Sequence, residues 1–401
     1  MHRSLTLLAA PLLAASSYAQ TIPMGFFQGS DSGDDDQFGL VVDCSGTQAI
    51  VGAEIHGGAG VLAGAAYVYE WGGAWAQVAK LQSSDIAVQD FLGSDVGITA
   101  GRAIVGARGD DDGGSNSGSA YIFEQQPDGT WQEAAKLTAS APNPGADFGH
   151  AVDIDGDVAV VGAPDAGFGL TFTGHAYVFE RQGDGSWSEV ALLIPSDASS
   201  NDDFGWSVAV DGGRVVVGAT LDDDGGGASG SGYVFERQPG GAWIEADKLV
   251  ASDADAGDQL GWSVDIDGDT AVLGSWLNPV TALTGAVYAF VRQPDGSWVE
   301  QDVMVPPGGS IGGKFGQTVA VSGDLIAVGA HERIVDFQIE AGEVFLFVRD
   351  LGGAWNHAQT IDKDPEESDE HFGVSVALDG GLMVVGAFGV DATEDDDDQG
   401  A

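Results

Sequence analysis

Apolar and polar residues alternate along this chain in short runs, each closed by glycine, aspartate or proline. The stretch after His150 shows the pattern four times in succession: "HAVDI" (150–154), "VAVVGA" (158–163), "AYVFE" (176–180) and "WSEVALL" (187–193). Period-two alternation with β-branched and aromatic enrichment predicts a strand for each run. Asp155-Gly156 joins the first two, and the same slot holds Ser45-Gly46, Ala100-Gly101, Asp211-Gly212, Asp267-Gly268, Ser322-Gly323 and Asp379-Gly380. A two-residue X-Gly link predicts a type I′ hairpin, because glycine supplies the positive φ. The third and fourth runs are joined by "QPDGT", "QGDGS", "QPGGA" or "QPDGS", again tight turns.

The four-strand pattern repeats. Phe-Gly opens it at Phe38, Phe148, Phe204, Phe315 and Phe372, and the variants Phe91-Leu92-Gly93 and Leu260-Gly261 fill the gaps. Units therefore start near 38, 91, 148, 204, 260, 315 and 372, and four antiparallel strands in each of seven units predict an all-β, seven-bladed β-propeller. Small residues recur after every second strand (Gly52, Gly106, Gly162, Gly218, Gly274, Gly329, Gly386), as expected where blade strands crowd the axis.

Ring closure directs attention to the ends. "FFQGSD" (26–31) matches the fourth-strand exits "KLQSSD" (80–85) and "KLVASD" (248–253), so it is expected to close the last blade. The seventh unit has strands one and two (372–387) and then "DATEDDDDQGA", so the last blade is expected to be incomplete, through truncation or a defective final blade. Residues 1–19 have a basic start, an apolar run from Leu5 to Ala15 and a small-x-small ending at Ala19, and are read as a cleaved export signal. The propeller then occupies 20–401, with no later run long enough for a transmembrane helix, and a secreted or cell-surface monomer is expected.

The repeated Phe-Gly and the Gly162-Ala163-Pro164 that follows a second strand resemble the FG-GAP repeat, the blade unit of the integrin α-subunit propeller. "GSAYIFEQQPDGTW" (118–131) and "SGYVFERQPGGAW" (231–243) are similar to its bacterial secreted branch. The resemblance implies binding or adhesion to an extracellular protein or glycan, with ligands engaged on the face carrying the strand four-to-one and two-to-three loops. It also brings calcium to mind, but the family's Asp-rich loop between strands one and two is here only a two-residue turn. "DIDGD" at 153–157 and 265–269 is therefore read as structural, since a two-residue hairpin cannot wrap a cation that takes six to eight oxygens.

Composition narrows the functions. Net charge is −48, from 62 acidic against 14 basic residues, which excludes nucleic-acid binding for want of a basic footprint. The single cysteine, Cys44, is expected in a buried strand. Acidic loops fall on the proposed ligand face, while Arg181, Arg237, Arg292 and Arg349 fall on the other, predicting an electrically two-faced molecule. Solvation, a cationic partner or weak calcium binding each account for the acidity; the calcium candidates are Asp110, Asp111, Asp112, Asp222, Asp223, Asp224, Asp253, Asp255 and Asp258. Three two-to-three loops instead carry apolar residues, and Phe168, Phe172, Trp276, Leu277, Ile334 and Phe337 are the ligand-contact candidates, with capping of the channel as the alternative. Arg108-Gly109-Asp110 is read as a chance adhesion motif. No histidine pair has metal-ligand spacing and no serine sits in a nucleophile elbow, so no catalytic set is expected. The alternative is an extracellular hydrolase or polysaccharide-active enzyme, with His150 and His331 as the residues to test.

Overall fold

The computed structural model describes residues 5–9, 25–32, 36–57, 62–168, 171–277, 285–307, 313–332, 342–362 and 371–388. Among the described residues, six four-stranded antiparallel sheets are each built from one continuous stretch of chain, with their strands in chain order. In the third, Val152–Asp155 pairs with Val158–Ala163, which pairs with His175–Arg181 and then Trp187–Leu193. A further four-stranded sheet draws on both ends of the chain, in the order Gly25–Phe27, Leu5–Ala9, Leu382–Val385, Val376–Asp379. A two-stranded ribbon, Gly167–Phe168 with Thr171–Phe172, sits in the two-to-three loop of the third blade.

This arrangement corrects the expected seven-bladed ring with an incomplete last blade. Six blades are continuous in sequence, and the remaining four-stranded sheet is a composite of another kind. Its third position, expected to be vacant, is taken by Leu5–Ala9, the run read from sequence as part of an export signal, in register from Thr6↔Val385 to Ala9↔Leu382. The physical reason is the edge of Leu382–Val385, whose backbone groups need partners that an apolar extended segment supplies. The closing strand is Gly25–Phe27, offset from the expected 26–31.

The one-to-two hairpins are also corrected. Asp155 pairs with Val158, so the loop is Gly156-Asp157, and only Gly156 has positive φ, at 56°. Glycine at the first loop position alone fits type II′ in place of type I′. Second and third strands are buried along almost their whole length, as in Val158–Ala163 and Tyr177, because neighbouring sheets cover both faces. The cores accordingly lie between blades: Ile104 and Ile122 of the second pack with Val152, Val161 and Tyr177 of the third. Fourth strands alternate in exposure, as in Trp187–Leu193, because their outer face meets water. Cys44 is buried, as expected.

The repeated Phe-Gly and second-strand glycine meet across these blade boundaries. Gly162 ends a second strand against the carbonyl oxygen of Gly205 in the next blade, and a Cβ at Gly162 would overlap that oxygen. Gly205 holds φ at 95°, a conformation that suits glycine, while the preceding Phe204 is fully buried with its ring edge-on to Tyr233 at 5.5 Å. The same contact recurs from Gly52 onto Gly93 through to Gly329 onto Gly373, and Gly386 closes onto Gly39. The small residues thus sit at the junctions between blades, on second strands, and the first strands line the axis.

A Gly162→Ala substitution should destabilise the protein by about 3 kcal/mol or more, since the obstructing atom is backbone and an overpacked core already costs ~1–3 kcal/mol. Gly156→Ala, in open space, should cost only ~1 kcal/mol for its positive φ. Urea denaturation of the two variants checks the difference; equal losses would contradict the contact.

Candidate functional site

The first strands surround a central cavity of about 680 Å³. Their side chains alternate between the blade core and the cavity, which places half-buried carboxylates along its wall: Asp43, Asp95, Asp153 and Asp265. Each reaches the following blade. Asp43 accepts the Ile98 N–H at 2.6 Å, Asp95 that of Val152 at 2.8 Å, Asp153 that of Val210 at 2.7 Å and Asp265 that of Val321 at 2.6 Å. Nearer the hairpins, Asp155, Asp211 and Asp267 accept the N–H groups of Gly212, Gly268 and Gly323. The "DIDGD" runs are therefore seams between blades, in keeping with their structural reading.

Burial, and then the repulsion of neighbouring carboxylates, makes these groups weak acids. Asp265 is pushed up to about 8, by burial first and against the Val321 N–H, with Asp153 adding repulsion. Asp95 rises to about 7 and Asp153 to about 6, each chiefly through burial, and Asp43 is raised well above the usual range. Among the described lining residues Arg108 is the sole arginine, and no lysine is present.

The mouth of the cavity is set by the residue after each Phe-Gly: Leu40, Ser94, His150, Trp206, Trp262, Gln317 and Val374. Three of these form a run of rings. His150 lies 4.7 Å from Trp206, Trp206 lies 4.7 Å from Trp262, and Trp262 meets Trp276 at 5.2 Å. Lys314 stands 5.3 Å over the Trp276 ring and is ion-paired to Glu332. On the other side of His150, Arg108 pairs with Glu54 at 3.2 Å. His150 is lowered to about 4, by burial first and then by Arg108, so its imidazole is neutral at neutral pH. Trp206, Trp262 and Trp276 are each half-buried.

Of the expected ligand contacts, Trp276 joins this run and Leu277 follows it on the same turn. Phe172 is 43% exposed, on the ribbon of the third blade and apart from the ring run. Phe168 is placed by its backbone opposite Thr171, while Ile334 and Phe337 lie outside the described residues. Sequence reasoning missed Trp206 and Trp262. The signal available was the column after Phe-Gly, which varies between aromatic, polar and aliphatic while its neighbours stay constant.

The acidic candidates separate into those brought together and those kept apart. Asp110 and Asp112 meet Asp85, and Asp222 and Asp224 meet Asp197, with ligand atoms within 4.8 Å of one another, an arrangement that could hold a metal ion. A lysine reaches the centre of each group. Lys136 Nζ lies 2.8, 2.8 and 2.6 Å from Asp85, Asp110 and Asp112, and Lys248 Nζ lies 2.7, 2.8 and 2.6 Å from Asp197, Asp222 and Asp224. Tyr121 and Tyr233 hydroxyls donate into the same groups. Burial would raise Asp222, but Lys248 and Tyr233 outweigh it and hold the carboxyl below its ordinary value. Asp111 and Asp223 instead accept N–H groups of Asn116 and Ala228 within their own loops. Asp253 accepts the Tyr288 hydroxyl, Asp255 is exposed and Asp258 is buried.

One further expectation changes and another holds. Arg181, Arg237 and Arg292 pair with Glu124, Glu180 and Glu236 of the preceding blade, and Arg349 pairs with Asp324, so this side is not a free basic face. Arg108-Gly109-Asp110 does not present an adhesion loop: Arg108 is engaged by Glu54, and Asp110, 3% exposed, by Tyr121 and Lys136.

A family model described as FG-GAP repeat matches residues 27–69, 75–123, 131–179, 187–235, 243–290, 298–347 and 355–401. The matched segments are offset from the blades, so that 75–123 takes the last strand of one and the first three of the next. No curated protein matches the chain. Among solved structures, a Lactobacillus plantarum protein is similar over 91% of this chain and 98% of its own, at 12% identity and a TM-score of 0.53. The periplasmic gluconolactonase of Pseudomonas aeruginosa is similar over 90% and 96%, at 14% identity and a TM-score of 0.52. At these identities the likeness is one of fold.

The raised carboxylates fix the sign of a pH effect. Unfolded aspartates release their protons near pH 4, whereas Asp265, Asp95 and Asp153 release theirs at about 8, 7 and 6 in the folded chain. At these three carboxyls the folded state holds more protons between these limits, so the stability they contribute is lost as pH rises from about 4 to 8. Asp265→Asn keeps an acceptor for Val321 and removes the charge. Thermal unfolding should show it more stable than wild type at pH 8.5, by about 1–3 kcal/mol after allowing for screening at a half-buried site, and no more stable at pH 4.

Proposed function

The chain belongs to the FG-GAP repeat family, and from that footing we propose that it is a noncatalytic binding propeller whose ligand site is the channel mouth. The observation that carries this reading is the run of rings His150, Trp206, Trp262 and Trp276 around a cavity of about 680 Å³. Ligand sites are concave, lined by aromatic side chains and provided with a few oriented polar groups. Indole faces half-open to water suit the C–H faces of sugar rings, while Arg108, Glu54 and the neutral His150 offer donors and acceptors to hydroxyls. We therefore favour a glycan over a protein ligand.

Localisation outside the cell belongs to the same proposal. Residues 1–19 are proposed as an export signal, and the exported protein should have an intact mass that begins at Gln20. Such cleavage would remove Leu5–Ala9 from the composite sheet. A retained N-terminus would assign that segment to the fold.

A second reading is an extracellular hydrolase or polysaccharide-active enzyme using the same mouth. It is favoured by the position of His150, a proton-accepting imidazole on the cavity lining 4.7 Å from Trp206. Turnover of a polysaccharide or lactone that is lost in His150→Gln while binding persists would support it over the noncatalytic role.

Isothermal titration against neutral cello-, xylo-, manno- and chito-oligosaccharides tests the main reading. At least one series should bind, and Trp206→Ala and Trp262→Ala should each weaken it by roughly tenfold or more, the loss expected for ~1.4 kcal/mol of stacking. Binding unaffected by both variants, or no binding in any series, would contradict the proposal.

A further inference from the structure

The run of rings at the channel mouth continues beyond both of its ends. Past Trp276, Lys314 stands 5.3 Å over the indole and pairs with Glu332, which lies 4.0 Å from His331. His331 is 5.5 Å from His371, whose ring stacks on Phe388 at 4.6 Å and 10°. Past His150, the Arg108 guanidinium pairs with Glu54 and lies 5.2 Å over the Phe91 ring. The contacts form an arc from Phe91, beside the first strand of the second blade, to Phe388, after the last strand of the composite one.

Backbone geometry singles out two members of the arc. The residue before each Phe-Gly or its variant holds a left-handed conformation, with φ at 55° for Phe91, 52° for Lys314 and 49° for His371. Glycine, asparagine, aspartate and histidine are the residues that tolerate it. Asp147, Asp203 and His371 conform, whereas Phe91 and Lys314, one on each side of the indole run, are held there against that preference, each half-buried. A bulky side chain kept on a strained backbone points to use of that side chain.

Two ion pairs bracket the three indoles, Arg108 with Glu54 and Lys314 with Glu332. Each pair brings donors and acceptors without net charge, which suits hydroxyl groups. Beyond each pair the arc offers an aromatic face again, Phe91 on one side and the stacked His371 and Phe388 on the other. Apolar ring faces separated by neutral polar pairs along a curve match an extended chain of sugar rings, whereas a single sugar covers one step of it.

We propose that this arc is the track of one extended glycan chain, so that the ligand class is a neutral polysaccharide and Phe91, His371 and Phe388 are its outer contacts. The proposal rests on the reading of the mouth as a glycan site and adds chain length to it. A short sugar would satisfy the three indoles alone; the outer rings are reached only by a longer chain.

Isothermal titration with the tri- and hexasaccharides of the cello-, xylo-, manno- and chito- series tests this, on the full chain and on Phe91→Asn and His371→Asn variants, each well below its unfolding midpoint. Asparagine suits the left-handed backbone, so both variants keep a residue that the turn accepts. In the series that binds, the hexasaccharide should bind roughly tenfold or more tighter than the trisaccharide, and each variant should weaken the hexasaccharide by about threefold or more while leaving the trisaccharide unchanged. Equal affinity for the two lengths, or a hexasaccharide affinity that neither variant alters, would overturn the arc; if Trp206→Ala still weakens binding, the mouth site stands without it. Binding that is indifferent to Trp206→Ala as well would remove the mouth site and the arc together.

Discussion

Everything in this molecule depends on how closely one blade approaches the next, and that distance is set by a glycine meeting a carbonyl oxygen. A side chain at Gly162 would overlap the Gly205 carbonyl, and the same obstruction is found at each junction through to Gly386 on Gly39. The close approach brings two buried faces together, so that second and third strands are buried along almost their whole length and the cores lie between sheets. Phe204 and its counterparts fill the space beside the junction, which is why Phe-Gly and the second-strand glycine travel together in the sequence.

With blades this close, polar groups at the axis must be satisfied between neighbours. Asp43, Asp95, Asp153 and Asp265 do so by accepting N–H groups from the following blade. The same logic operates outside the channel, where Arg181 reaches Glu124 and Ser140 reaches Glu189 across a blade boundary. Much of the charge of −48 is therefore engaged in seams and lysine-centred groups, and a single word such as solubility does not describe it.

Strands, repeat and family were legible because backbone geometry constrains the same positions in every unit. Gly156 and its counterparts, the Phe-Gly pairs and the alternating runs all carry that constraint. The turn type was misread because the loop is Gly156-Asp157, and only pairing of Asp155 with Val158 reveals the frame. The composite sheet was illegible because Leu5–Ala9 has the composition of an export signal, and apolarity alone does not tell a signal from a strand. Lys136 was invisible as the partner of Asp110 and Asp112 because it lies on another strand, and a cluster of aspartates in sequence says nothing of the cation that topology brings to it. The aromatic mouth was missed because Trp206 and Trp262 lie 56 residues apart and become neighbours only when the ring is formed.

The account thus separates a frame that repeats, glycine junctions with carboxylate seams, from columns that vary and face the channel mouth. Native-state hydrogen exchange tests the frame most directly. The amides of Val152, Val210 and Val321 line a wet cavity, yet each is held by a carboxylate of the preceding blade, so they are predicted to exchange as slowly as the fully paired second-strand amides of Val160 and Val216. Rapid exchange at the channel-side amides, with the second strands still protected, would show that the blades open individually and would contradict a closed, cooperative ring.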